Sequence, residues 1–283
     1  MRCRGRHAAT QFVLLEPLLI AELALLGLVT GFLAGLLGIG GGMMMVPFVT
    51  IILSNRGVGA DLAVKMAIAT SMATILFTSM SSVWAQHRRG AVRWDIAKRL
   101  APGIVLGGML ASLGVFSLLK GTWLALFFAG FVGFSATRML LETKAEPTRD
   151  MPGAAGQWVT GGVIGFLSGL VGAGGAFISV PFMTRRKVAM HQAVATSAAL
   201  GFPIALANVS GYIVSGWSIA DLPEGSFGYL FLPALLVIAV VSVSLAPLGV
   251  RASHALPVQR LRRLFAVLLY LLAAYMLYKG LSV

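Results

Sequence analysis

Eight stretches of the chain carry no formal charge: Leu23 to Asn55, Met66 to Gln86, Leu100 to Leu119, Gly121 to Thr137, Gln157 to Thr184, Val188 to Ala220, Gly225 to Val250 and Leu264 to Tyr278. Since roughly 20 apolar residues cross a ~30 Å hydrocarbon core, the pattern predicts an all-α polytopic membrane protein with at least eight hydrophobic segments. The polar residues fall in short connections, none long enough to be a soluble domain. Composition points the same way. With 58% hydrophobic and 11% charged residues, 283 residues cannot fold in water without exposing far more apolar surface than water tolerates.

The hydrophobic pattern repeats. GFLAGLLGIGGGMMMVPFVT, Gly31 to Thr50, returns as GFLSGLVGAGGAFISVPFMT, Gly165 to Thr184, 134 residues later with 12 of 20 positions identical. A second echo pairs Lys65 to Ser71 with His191 to Ser197 at an offset of 126, at which Gly90 and Asp95 also recur as Gly216 and Asp221. The expected divisions are an N-terminal extension at 1–14, a first transmembrane repeat at 15–140, a linker at 141–156 and a second repeat at 157–283. Residues up to about Leu14 do not resemble the rest of the chain, and translation starting near Leu15 would leave the repeat complete. A secretory signal is a poor reading, because the apolar run continues unbroken into the first repeat without a small-residue cleavage site.

The net charge of +13 sits in clusters between segments, not along one helix face with interleaved aromatics. That pattern favours orientation signals over nucleic-acid binding. His87 to Arg99 is the basic loop of the first half, while Arg185 to Lys187 and Arg251 to Arg263 are those of the second. Equivalent loops of the halves therefore prefer opposite sides, as in an inverted repeat with an odd number of crossings per half. Five membrane-inserted segments per half satisfy this if each glycine block hinges a broken first helix; eight simple crossings with parallel repeats are the alternative. In the first arrangement all three basic loops face the cytoplasm and both termini lie outside.

A backbone interrupted at Gly38, Gly40, Gly41 and Gly42, and again at Gly172, Gly174 and Gly175, leaves N–H groups unpaired in the bilayer, at several kcal/mol each. Half-helices starting near Met43 and Phe177 aim their positive dipole ends at the breaks, a field that suits an anion without an arginine. Thr70, Thr74 and Thr78 with Ser71 and Ser82 form a hydroxyl stripe, answered in the second half by Thr196, Ser197 and Asn208. The candidate substrate-binding set is thus Gly38, Gly40, Gly41, Gly42, Pro47, Thr70, Ser71, Thr74, Gly172, Gly174, Gly175, Pro181, Thr196, Ser197 and Asn208.

Structural readings stand beside these. Gly27, Gly31, Gly35, Gly165 and Gly169 fit close helix packing of the small-xxx-small kind. Pro47 and Pro181 also suit simple kinks, and membrane Ser and Thr commonly bond back to the i−4 carbonyl. Glu22 is a carboxylate beside an apolar stretch and a candidate for proton coupling, although a first segment starting near Glu16 puts it near an interface. His191 and Lys65 suit interfacial anchors. Cys3 is alone and the 13 methionines show no ligand spacing, so no metal or cofactor is implied. GIGGG fails as a nucleotide loop: no strand precedes it, no Lys-Ser/Thr comes after it, and Met43 stands where a dinucleotide fingerprint needs glycine. Nothing else resembles catalytic machinery, so the chain reads as no enzyme.

The paired blocks Gly35 to Pro47 and Gly169 to Pro181, each followed by Ala-Thr-Ser, resemble the TauE/SafE family of sulfite exporters and toluene-sulfonate permeases. Ala176 departs from the third glycine of the second block, as does the alanine before each Thr-Ser pair where the family often has glycine. The resemblance implies a multi-pass transporter of the cell inner membrane for small sulfur-containing or organic anions such as sulfite, sulfonates, sulfoacetate or thiosulfate. Its partners would be the anion, the bilayer and possible further copies of itself. Alternating access around the two breaks is the expected mechanism. With no evident coupling carboxylate, the membrane potential favours export. An anion channel and a non-transporting scaffold subunit are the rival functions.

Overall fold

The computed structural model describes residues 17–37, 41–141, 150–219, 222–255 and 258–281. Among these the protein is all-α but for one two-stranded hairpin, as a bilayer demands of segments that must satisfy their own backbone. The first half holds α1 (Pro17–Leu37), α2 (Gly42–Asn55), α3 (Ala60–His87), α4 (Trp94–Leu118) and α5 (Gly121–Leu141). The second holds α6 (Ala154–Val171), α7 (Ala176–Thr184), α8 (Met190–Gly216), α9 (Leu232–Ala255) and α10 (Val258–Leu281). Seven of these, α1, α3, α4, α5, α6, α8 and α9, are long and apolar enough to cross a membrane. A π-helical turn at Leu110–Val115 interrupts α4. The hairpin, β1 (Ser226–Phe227) and β2 (Leu230–Phe231), precedes α9 with Phe227 opposite Leu230.

Lipid offers no hydrophobic drive for helix to meet helix, so close approach relies on small residues. Gly27, Gly31 and Gly35 lay α1 along α9, and a Cβ on Gly35 would stand 1.9 Å from Ala246 O. Gly161, Gly165 and Gly169 lay α6 along α4 in the same way, with a Cβ on Gly165 falling 2.2 Å from Ile104 O. In both pairs residue numbers rise together, so the helices run parallel. The central pair is α3 and α8, of whose apolar windows 78% and 72% are buried, against 39–44% for the other five spanning helices.

Contacts at the helix ends fix the directions. Lys65 Nζ of α3 donates to Ser117 O of α4, while Trp94 of α4 donates to His87 of α3, so these two are antiparallel. Arg93 and Gly108 meet Thr196 and Asn208 of α8 in rising order, which makes α8 parallel to α4 and opposite to α3. Ser81 donates to Val243 O and Phe231 N–H to Thr70, which makes α9 parallel to α3. The connection from His87 to Trp94, the Arg185–Lys187 turn and the end of α9 at Arg251 consequently share one face, here called the basic face. All five tryptophans are exposed and mark two belts: Trp84, Trp94 and Trp158 near the basic face, Trp123 and Trp217 near the other.

Candidate functional site

Two interrupted helices meet at the centre. Leu37 ends α1 and Gly42 starts α2; Val171 ends α6 and Ala176 starts α7. Gly41 (φ 70°) and Gly175 (φ 75°), 134 residues apart, are the left-handed residues from which the second helix of each pair departs. Glycine suits both positions for two reasons. A side chain there would be strained, and its Cβ would lie 2.7 Å from Thr30 O in the first case and 2.5 Å from Ile204 Cδ1 in the second. Met44 N–H and Ile178 N–H turn back to the Gly41 and Gly175 carbonyls, while the N–H groups before them begin the helices without an intrahelical acceptor and carry the positive dipole end.

The breaks touch each other across the molecule. A Cβ on Gly42 would fall 2.3 Å from Gly172 O and 2.5 Å from Ile75 Cδ1. Ser71 donates to Gly172 O at 3.2 Å as well as to Ile68 O at 3.0 Å, tying α3 to the second break. Beside this contact is a small cavity, with room for about one water, bounded by Ala34, Ile75, Ser79, Ser82, Ser197 and Gly201, with Gly174 and Ala198 at its margin. Its walls carry hydroxyls and backbone but no formal charge. Ser79 and Ser82 are in the later half of α3 and Ser197 in the early half of α8, so the cavity lies toward the basic face.

The candidate residues separate into groups. Gly38 and Gly40 lie outside the described residues; Gly41, Gly42, Gly172, Gly174 and Gly175 form the junction just described and are buried. Pro47 and Pro181 occupy equivalent interior positions of α2 and α7, where a proline ring leaves the i−4 carbonyl without an intrahelical donor. Ser197 accepts from Ser179 at 2.8 Å and lines the cavity. Thr70 and Thr196 do something else: each accepts a backbone N–H from the opposite half, Phe231 to Thr70 and Arg93 to Thr196, both at 3.0 Å. Thr74 bonds back to Thr70 O and Thr78 to Thr74 O, the local pairing open to any helical threonine. Asn208 is fully buried on α8, its amide donating to Ile204 O. Glu22 is exposed on the early part of α1, away from the breaks.

Ser79, Ser168, Ser179, Gly201 and Tyr212 join this region without having stood out in the sequence. Tyr212 is fully buried and donates to Gly169 O. The repeat offsets held a signal: Ser82 and Asn208 stand 126 apart and Ala34 and Ser168 134 apart, so Asn208 and Ser168 are the repeat equivalents of two cavity-lining residues. Lys65 is held by the Ser117 carbonyl and by the rings of Phe116 and Tyr229, whose centroids are 5.8 and 5.6 Å from its Nζ.

Comparison with known proteins gives the same architecture a lineage. The family model "Sulfite exporter TauE/SafE" matches residues 23–276. A probable membrane transporter protein of Haemophilus influenzae is 36% identical over 256 residues, covering 90% of this chain and 97% of that one. Another of Methanocaldococcus jannaschii is 26% identical over 268 residues, covering 94% and 97%, and one of Bacillus subtilis is 26% identical over 282 residues, covering 91% and 97%. No solved structure matches. A multi-pass helical membrane transporter whose family match spans nearly every helix, this chain belongs to the sulfite exporter TauE/SafE family.

Proposed function

We propose that this transporter carries a small anion of the sulfur oxyanion, sulfonate or related organic-acid class, by alternating access around its two glycine breaks. The observation that carries the reading is the junction itself. Two helix N-termini start from left-handed glycines beside a small charge-free cavity that Ser79, Ser82 and Ser197 border among apolar residues, where backbone amides supply the positive field. Gly41, Gly42, Gly174 and Gly175 offer amides, and Ser82 and Ser197 offer hydroxyls.

Alternating access needs two halves that exchange roles, and the opposed directions of α3 and α8 support inverted copies. The first repeat is 15–140 and the second 157–283. Arg and Lys clustered on one face orient that face to the cytoplasm of a cell inner membrane. The cavity then lies toward the cytoplasmic side, beneath the Arg93–Thr196 contact. Direction is set by charge: an inside-negative potential drives a monovalent anion outward by about 2.3 kcal/mol per 100 mV, so export runs unaided unless a cation travels with the anion.

The test is a melting-point screen of the detergent-purified protein with sulfite, thiosulfate, sulfoacetate, taurine, sulfate and simple carboxylates. A ligand that binds only the folded state raises the melting point. The expected result is stabilisation by at least one sulfur oxyanion, reduced in Ser197→Ala and in Ser82→Ala. Stabilisation by none of these anions overturns the reading.

A further inference from the structure

Ser168 Oγ and Asn208 Oδ1 are buried with no hydrogen-bond partner among the described residues. Most other buried hydroxyls here bond back to their own helix, as Thr30, Thr50, Ser112 and Thr78 do. Ser168 does not, although it sits in the last turn of α6 with a helical carbonyl four residues behind it. Asn208 is fixed in orientation because its amide nitrogen already donates to Ile204 O at 2.8 Å, which turns Oδ1 toward Gly169. A Cβ on Gly169 would stand 2.1 Å from that oxygen.

The two atoms share one neighbourhood. Ile204, Asn208 and Tyr212 succeed one another at four-residue spacing on α8, and the last turn of α6 lies along them. Ser168 Oγ lies 3.2 Å from where a Gly175 Cβ would be, and that same position lies 2.5 Å from Ile204 Cδ1. Tyr212 donates to Gly169 O, leaving lone pairs on its own oxygen. Four oxygens, Ser168 Oγ, Asn208 Oδ1, Gly169 O and Tyr212 Oη, thus belong to the stretch where the C-terminal, negative end of α6 packs on α8. Their side chains are 0–2% exposed where the residue has one.

We propose that this cluster of neutral oxygens at the end of α6 is a binding site for a small monovalent cation, sodium, that travels with the anion. The donors are oxygens throughout and uncharged, and unwound helix ends are the places where transporters hold such ions. A divalent ion would demand carboxylates to offset its charge. The counterpart positions in the first half explain why one ion suffices. Ala34 replaces Ser168, Ser82 replaces Asn208 and Gln86 replaces Tyr212, at the same offsets of 134 and 126. Ala34 and Ser82 line the anion cavity, so the cation cluster and the anion cavity are related positions of the two repeats.

The inference rests on the transporter reading and changes its direction. One sodium ion neutralises a monovalent anion, removes the potential barrier to entry and lets an inward sodium gradient drive uptake. No carboxylate is needed for such coupling.

The experiment measures melting of the full chain in detergent at constant ionic strength in sodium, potassium or choline chloride. A saturable rise of about 3 °C with sodium over choline is expected. Ser168→Ala and Asn208→Ala should remove that increment. Ser215→Ala, which deletes another buried unpaired hydroxyl farther along α8, should keep it. Equal melting in the three salts overturns the proposal, and so does a sodium increment surviving in Ser168→Ala. If Asn208→Ala does not fold, Ser168→Ala, which loses a single oxygen, decides alone. Repeating each melt with sulfite, thiosulfate or sulfoacetate separates the two claims. An anion shift in choline without any sodium effect leaves the anion reading standing and removes the cation site.

Discussion

Thr70 and Thr196 separate two mechanisms, because each hydroxyl accepts a backbone N–H from the other half at opposite ends of the molecule. If they are latches, Thr70 closes the outer side, through Phe231, and Thr196 closes the basic side, through Arg93. Valine keeps the shape of threonine and removes the acceptor. A hydrogen bond of this kind contributes about 1 kcal/mol, so its loss from one closed state shifts the ratio of the two conformations about fivefold. A Ser197→Cys reporter in the cavity, on a Cys3→Ser background, reads that ratio as the rate of labelling by an impermeant maleimide from either side of oriented vesicles. Thr70→Val should raise labelling from the face opposite the basic one about fivefold, and Thr196→Val labelling from the basic face. Movement of both variants in one direction, or of neither, refutes the latch. If the hydroxyls instead hold the anion, both variants lose the ligand-induced melting shift while labelling stays put.

Two further perturbations test packing and charge. Gly35→Ala forces a Cβ to within 1.9 Å of Ala246 O, backbone that cannot rotate away, and should cost about 1–3 kcal/mol; Gly130→Ala, with nothing within 4 Å, should be neutral or slightly stabilising in the same melting assay. Lys187 holds the Asp150 carboxyl below its usual range across a 2.8 Å ion pair. A depressed carboxylate contributes stability that is complete above its ordinary value near 3.9 and lost as pH falls through the lowered one. The melting difference between Asp150→Asn and the unaltered protein should therefore stay constant from pH 5 to 8 and disappear only in acid, and it should be small, this pair being solvent-exposed and salt-screened.

Much of this was legible in the chain. The charge-free stretches mark the helices, and the 134-residue offset places Gly41 and Gly175 at equivalent breaks. Thr70 and Thr196 are legible as a pair at the 126 offset, yet their role is not, since each donor comes from a connection in the other half. The β1–β2 hairpin was hidden because SFGYLF falls inside a charge-free stretch that reads equally well as helix. Ser168 carried no local signal at all. Its counterpart is Ala34, and only the fold shows that it lacks the back-bond its neighbours make.

The repeats share a backbone plan but close their two sides with unequal material. On the outer side Phe116, Tyr212, Tyr229 and Phe231 are all buried, with Phe116 4.4 Å from Tyr212 and 5.5 Å from Tyr229, and Lys65 sits over two of these rings. On the basic side the matching seal is Ala91, Val92, Ala195 and Ala199, a separate and much smaller cluster. Opening the outer side must separate large aromatic contacts, each pair contributing about 0.5–1.5 kcal/mol beyond the area it buries. Opening the basic side separates only alanine and valine side chains. The equal backbone latches at Thr70 and Thr196 do not offset that difference. On the proposed alternating-access reading, the favoured conformation has the aromatic side closed and its cavity toward the basic face, which is where Ser79, Ser82 and Ser197 place it. A transporter resting this way needs a driving contribution to open outward, and a bound ion at the Ser168–Asn208 cluster, between the α6 end and the Tyr212 that anchors the aromatic seal, is placed to supply it.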